Sequence, residues 1–203
     1  MRVHLHTDDL PEGLDFGAAV AVDTETMGLK PHRDRLCLVQ LSAGDGEVHL
    51  VKLTSRRIEA PRLAALLADP QQLKIFHYAR FDMAVLKHAL GVMPQPVYCT
   101  KIASKLTRTY TDKHGLKDLC RELLGVELSK QQQSSDWGAD DLSEEQKAYA
   151  AQDVLYLHRL KEQLDALLAR EDRRPIAEAA FAYLAARAEL DLMAGEEYDL
   201  LAH

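Results

Sequence analysis

Ala18-Ala19-Val20-Ala21-Val22-Asp23-Thr24-Glu25-Thr26 is the stretch on which the fold turns. Its small and β-branched apolar residues read as a buried strand that ends abruptly in two carboxylates. Asp23 and Glu25 alternate with Thr24, so on a strand their side chains leave from the same face. Like charges side by side at the end of a buried strand are costly without a cation between them. The expectation is a divalent metal site whose remaining ligands come from elsewhere in the chain.

Upstream, residues 2–6 alternate apolar and polar as a short first strand, and Pro11-Glu12-Gly13 is a turn. Downstream, Met27-Gly28-Leu29-Lys30-Pro31 breaks the strand. Strands over 35–42 and 47–53 follow, joined by Ala43-Gly44-Asp45-Gly46, and the three consecutive strands form an antiparallel meander. Helical periodicity at Ile58, Leu63, Leu66 and Leu67 ends near Asp69-Pro70. A short strand over 73–77 leads into a helix from about Arg80 to Leu90-Gly91, and a further short strand covers 97–100. Helices are expected over 101–106 and 116–124, then a polar loop over 129–140. Ser143-Glu144-Glu145-Gln146 reads as a capping box opening a helix to Leu168, and a last amphipathic helix covers 176–193. The pattern predicts an α/β fold: a mixed sheet, antiparallel meander plus parallel strands, flanked by helices. Residues 1–203 are read as a single domain, with 176–203 as a C-terminal helical extension.

Hydrophobic residues at 47% and charged residues at 28% fit a globular protein of ordinary composition. No apolar run reaches roughly 18 residues, so no membrane span is expected, and the first residues lack the apolar core of a secretory signal. Cys37, Cys99 and Cys120 have no paired spacing and fit reduced thiols in a cytoplasmic protein. The net charge of −7 argues against a broad duplex-binding surface, which needs a basic face. It leaves room for a short substrate held through local basic groups or bound metal.

Asp-x-Glu alone is weak, and Asp45-Gly46-Glu47 repeats it inside a Gly-rich turn, where acids are ordinary. Two further features give the first copy its weight. Asp82, in His77-Tyr78-Ala79-Arg80-Phe81-Asp82, is delivered by a short strand into the first turn of a helix. Tyr149 and Asp153 are spaced i, i+4 on one helical face, beside Ala148, Ala150 and Ala151, which let that helix lie close against a sheet.

Together these residues resemble the DEDD 3′–5′ exonucleases, in motif order. Tyr149 marks the Tyr-containing DEDDy branch; the DEDDh branch has His at the position of Ala148. Leu38-Val39-Gln40-Leu41, Gly115-Leu116-Lys117-Asp118-Leu119, and Lys130 with Ser135-Asp136-Trp137 extend the likeness to the ribonuclease D group over most of residues 18–168. Ribonuclease D proper carries further helical domains. Here only 176–203 follows the core, as in the compact nanoRNase C family, which degrades very short RNAs and forms ring-like homo-oligomers.

The resemblance implies an RNase H-like fold and two divalent ions, Mg²⁺ or Mn²⁺, held by Asp23, Glu25, Asp82 and Asp153. Four carboxylates match two such ions in charge and hardness. Asp23 is expected to bridge both, Glu25 and Asp153 to complete one, and Asp82 to serve the other. Tyr149 is expected to orient the attacking water, and the products are nucleoside 5′-monophosphates from short single-stranded RNA. Candidate substrate contacts are Thr24, Met27, Leu29, His77, Arg80, Phe81, Lys130, Gln133, Ser135 and Trp137. Trp137 is equally a base-stacking platform or a loop anchor, and Arg108, Lys113 and His114 read as a modest basic stretch or a solvated face. Longer RNA and single-stranded DNA stay open as substrates, and a non-catalytic nucleic-acid-binding protein on the same fold is the remaining alternative.

Overall fold

The opening stretch forms strand β2 (Ala19–Thr26), preceded by β1 (Arg2–Thr7), in a computed structural model that describes residues 1–55, 57–129, 135–195, 197, 198 and 200. β3 (Leu36–Ser42) and β4 (Glu47–Lys52) continue it antiparallel, so the expected meander is present. On the other side of β2, β5 (Leu73–Phe76) pairs in parallel, and β6 (Val97–Cys99) pairs in parallel with β5. β1 adds in parallel to β4, giving the order β1-β4-β3-β2-β5-β6. This is the mixed, RNase H-like sheet, and β2 stands where pairing changes from antiparallel to parallel.

α1 (Pro61–Ala68) joins β4 to β5, and α2 (Ala79–Leu90) joins β5 to β6. α3 (Thr100–Thr107) leaves β6 directly, and α4 (Leu116–Leu119) runs on as a π-helical turn over Cys120–Leu124. Gly125 ends that turn at φ 67, a left-handed conformation that costs glycine little. α5 (Glu144–Leu155), α6 (Leu157–Arg170) and α7 (Arg174–Ala194) complete the fold.

Every residue of β3 is buried, so both faces of the sheet are covered at its centre. Leu38, Leu41, Leu50, Ile75 and Phe76 are fully buried there, each side chain contributing about 1.5–3 kcal/mol relative to exposure. Ala150 and Ala151 are also fully buried, as expected for a helix lying close on a sheet, and α5 packs on β2, β3 and β4. Its capping box forms: Ser143 Oγ accepts from the Gln146 amide N–H at 3.2 Å, and Gln146 Oε1 accepts from the Ser143 amide at 2.9 Å.

Three expectations are corrected. The helix expected over 143–168 is two helices divided at Tyr156, where φ −106, ψ −1 departs from regular helical values. No Gly or Pro marks the break; α5 turns its face to the sheet while α6 packs against α3. The helix from Ile58 begins at Pro61, whose fixed φ suits a first turn. Arg108 does not belong to a solvated face. It is 1% exposed, donates to Ser104 Oγ and the Lys113 carbonyl, and pairs with Glu122, which locks the chain between α3 and α4.

The second Asp-x-Glu is structural: Asp45 accepts from the Glu47 amide, and Glu47 pairs with Arg2 and His4. The three cysteines are free and buried. Among the described residues no helix is long and apolar enough to cross a membrane.

Candidate active site

A cleft of about 570 Å³ opens at the C-terminal end of β2. It is lined by Asp23, Thr24 and Glu25 from the strand, Met27 and Leu29 just past it, His77 and Phe81 from the β5–α2 junction, Ser135 and Trp137 from the loop before α5, and Tyr149 and Asp153 from α5. Elements far apart in sequence thus converge on the opening stretch. One carboxylate oxygen each from Asp23, Glu25 and Asp153 lies within 4.8 Å of the others.

Asp82, 4% exposed, lies behind Thr24, whose hydroxyl donates to Asp82 Oδ1 at 2.6 Å. Thr24 therefore has a definite task besides lining the cleft. Asp23 is held from the other side: Gln40 stands opposite it in the β2–β3 register and donates from Nε2 to Asp23 Oδ2 at 3.3 Å. The sequence marks Gln40 only as part of the Leu38–Leu41 resemblance segment and gives it no site role, although an amide inside that apolar run was the available signal. Leu116, likewise named only within the segment 115–119, lines the cleft from the start of α4.

The electrostatics show what the site lacks. Burial, then the charges of Asp82, Asp153 and Glu25, pushes Asp23 well above the usual carboxylate range. Burial and the Asp153 and Asp82 charges push Glu25 up to about 9, and burial raises Asp82 and Asp153 to about 7. Among the described residues no Lys, Arg or His forms an ion pair with any of the four. Such a group is stable as carboxylates only around added positive charge, and all-oxygen donors suit a hard divalent cation, so the residues fit the metal they are expected to hold.

Tyr149 is raised by burial and by the charges of Asp153, Glu25 and Asp23, so its hydroxyl keeps its proton beside them. His77 is brought down to about 3 by burial and by Lys101; its Nδ1 lies 2.9 Å from Thr100 Oγ1, and the ring is neutral. Trp137 is 2% exposed with its ring 6.2 Å from that of Tyr149, the position of an anchor behind Tyr149. Met27 and Leu29, at 53% and 79% exposure, offer the apolar surface to the cleft. Arg80 is not in the cleft: it grips Asp191 of α7 through Nε at 2.6 Å and a second guanidinium nitrogen at 2.8 Å. Lys130 and Gln133 lie outside the described residues.

The family model described as 3′–5′ exonuclease matches residues 7–169. The chain belongs to the 3′–5′ exonuclease family. It is 57% identical to NrnC of Brucella melitensis, with a TM-score of 0.97 over 100% of both chains; further structures of that protein contain bound Mg²⁺ and bound pGG. The ribonuclease D of Gluconacetobacter diazotrophicus is 37% identical over 154 residues, which cover 76% of this chain but 39% of that protein. Escherichia coli RNase D is 28% identical with a TM-score of 0.74, over 85% of this chain and 45% of its own. The chain thus spans less than half the length of the ribonuclease D relatives it matches. Family membership and the carboxylate cluster agree: the chain carries a DEDD-type 3′–5′ exonuclease domain whose clustered carboxylates suit a divalent metal.

Proposed function

We propose that the protein is a two-metal 3′–5′ exoribonuclease that degrades short RNA, down to dinucleotides, to nucleoside 5′-monophosphates. The observation that carries this reading is the gathering of Asp23, Glu25 and Asp153 at the end of one strand, with Asp82 buried beside them against Thr24 and no basic partner for any of the four among the described residues. The full-length likeness to a protein whose structure holds pGG supports the short substrate. The net charge of −7 supports it too, since a long strand would need a broad basic track.

Two divalent ions bound here supply the charge that activates the attacking water and neutralises the departing oxygen. Asp23 would bridge them, Glu25 and Asp153 would complete one, and Asp82 would serve the other. Gln40 and Thr24 hold Asp23 and Asp82 in orientation. Tyr149 orients the water by donating or accepting a hydrogen bond; its raised pKa keeps the hydroxyl protonated and so unavailable as a base. Met27 and Leu29 wedge against the terminal base, and Phe81 flanks it. Buried Trp137 backs Tyr149, and Ser135 contacts the substrate from the same loop. Lys130 and Gln133 are proposed as further contacts on sequence grounds.

The working compartment is the cytoplasm, where three free thiols stay reduced. The chain assembles with its own copies, for which Ile176 and Met193 on α7, at 57% and 81% exposure, provide apolar surface. Light scattering after gel filtration tests the assembly. Hydrolysis of 5′-labelled RNA with Mg²⁺, Mn²⁺ or EDTA tests the chemistry. Activity should disappear in EDTA and in Asp23→Ala and Asp153→Ala; activity retained in either variant removes that residue from the site.

A further inference from the structure

A second pocket, of about 270 Å³, lies between α3 and α7 beside the start of α2. Ile102 and Leu184 form an apolar floor, and Tyr78 and Tyr183, at 44% and 38% exposure, are its aromatic walls. Lys101 and Lys105 stand on its α3 side. They are spaced i, i+4, so both ammonium groups leave from one helical face, and neither makes an ion pair among the described residues. Like charges at that spacing oppose helix stability, a cost that an anion between them reverses. Arg80 and Arg187 also line the pocket, and both pair with Asp191. Lys101 and Lys105 thus bring positive charge to the pocket in a chain whose net charge is −7.

Tyr78 strengthens the case. It is the residue before α2 and sits in the left-handed region at φ 67, ψ 44, where a bulky side chain is strained. That conformation accompanies a Tyr78 ring held under Lys101 Nζ, 4.2 Å from the ring centroid. The chain alternates between the two sites here: His77 and Phe81 line the catalytic cleft, and Tyr78 and Arg80 line this pocket. Aromatic walls, an apolar floor and paired lysines match a planar base carrying a phosphate. The volume, at the low end for small-molecule sites, suits one nucleotide rather than a stacked strand.

We propose that this pocket binds one nucleotide bearing a 5′-phosphate, with the base between Tyr78 and Tyr183 and the phosphate on Lys101 and Lys105. The choice of a nucleotide rests on the proposed exoribonuclease function. The same chemistry comes from two sources: a released nucleoside 5′-monophosphate, or the 5′-phosphorylated end of an oligonucleotide.

The test is calorimetric titration of the full chain with AMP, adenosine and inorganic phosphate in EDTA, which withholds the metal through which the catalytic cleft would hold a phosphate. AMP should bind, with adenosine and phosphate at least about tenfold weaker, and Lys105→Glu and Tyr183→Ala should each weaken AMP about tenfold or more. Circular dichroism confirms that the variants fold, and Lys105→Gln provides a milder change in the same direction. Absence of AMP binding, or equal binding by wild type, Lys105→Glu and Tyr183→Ala, overturns the proposal. If the oligonucleotide end is the source, Lys105→Glu raises KM for a 5′-phosphorylated dinucleotide and leaves the 5′-hydroxyl form unchanged. If the free nucleotide is the source, both forms keep their KM and AMP alters turnover of both. AMP binding that depends on Lys105 in a chain that cleaves no RNA keeps the pocket and removes the nuclease reading.

Discussion

Glu25, pushed up to about 9, and Asp82 and Asp153, raised to about 7, bind protons in the folded protein that the unfolded chain has already released near pH 4. Without metal the folded state therefore holds more protons, and stability falls as pH rises from about 4 through about 9. His77 works in the opposite sense, since its depressed value adds stability between about pH 3 and 6.5, but this contribution is constant above that range. Lys74, lowered to about 8 by burial, and the buried thiols also titrate near this range, so the carboxylates are read from the difference between thermal melts in EDTA and in Mg²⁺ from about pH 7 to 9: Tm in EDTA should fall with pH relative to Tm in Mg²⁺. The same pH dependence of Tm with and without Mg²⁺ contradicts the crowding of these groups. The orienting partners carry a second prediction. Gln40→Leu and Thr24→Val should each weaken activating metal by about 10–100-fold, read from the Mg²⁺ dependence of the rate. Asp23 and Glu25 stood out in the sequence because charges at the end of an apolar strand are anomalous, and Asp153 because it lies i, i+4 from Tyr149 on an Ala-rich helical face. Gln40 did not, because its meaning depends on standing opposite Asp23, which only the strand register reveals. Arg80 was misplaced for a related reason: its partner, Asp191, is 111 residues away on α7.

Among elements, the loop before α5 connects the scaffold to the site. Lys52, at the end of β4 and 5% exposed, donates from Nζ to the Ala139 carbonyl, and Gln146 Nε2 donates to the Asp136 carbonyl. A side chain at Gly138 would strike the Met27 sulfur at 2.6 Å, so the loop lies directly against the residue that follows the metal strand. Lys52→Met should loosen this attachment and lower kcat/KM by about tenfold or more through misplacement of Trp137 and Tyr149. The single Trp reports it directly, by a fluorescence shift to the red; an unchanged spectrum with unchanged kinetics contradicts the tether. The strands, the meander and the capping box were readable because period-two alternation and local caps are properties of neighbouring residues. The break at Tyr156 and the π-helical turn over Cys120–Leu124 were not readable, because packing, not local composition, sets them.

At the scale of the molecule, β2 has antiparallel β3 on one side and parallel β5 on the other, and the cleft opens at its C-terminal end. Parallel pairing brings the end of β5, and with it His77 and Asp82, beside the end of β2. The antiparallel return of β3 brings Gln40 opposite Asp23. The topology thus assembles the site from segments that carry little meaning singly. The net charge of −7 sets the expected range of substrate. The deciding measurement is kcat/KM on 5′-labelled RNAs from a dinucleotide upward, each with Mg²⁺ and with EDTA. The expected result is the highest value on the shortest RNAs, 5′-monophosphate products, and no cleavage in EDTA. Equal rates on a dinucleotide and a long strand, or cleavage that persists in EDTA, would contradict a metal-dependent nuclease of short RNA.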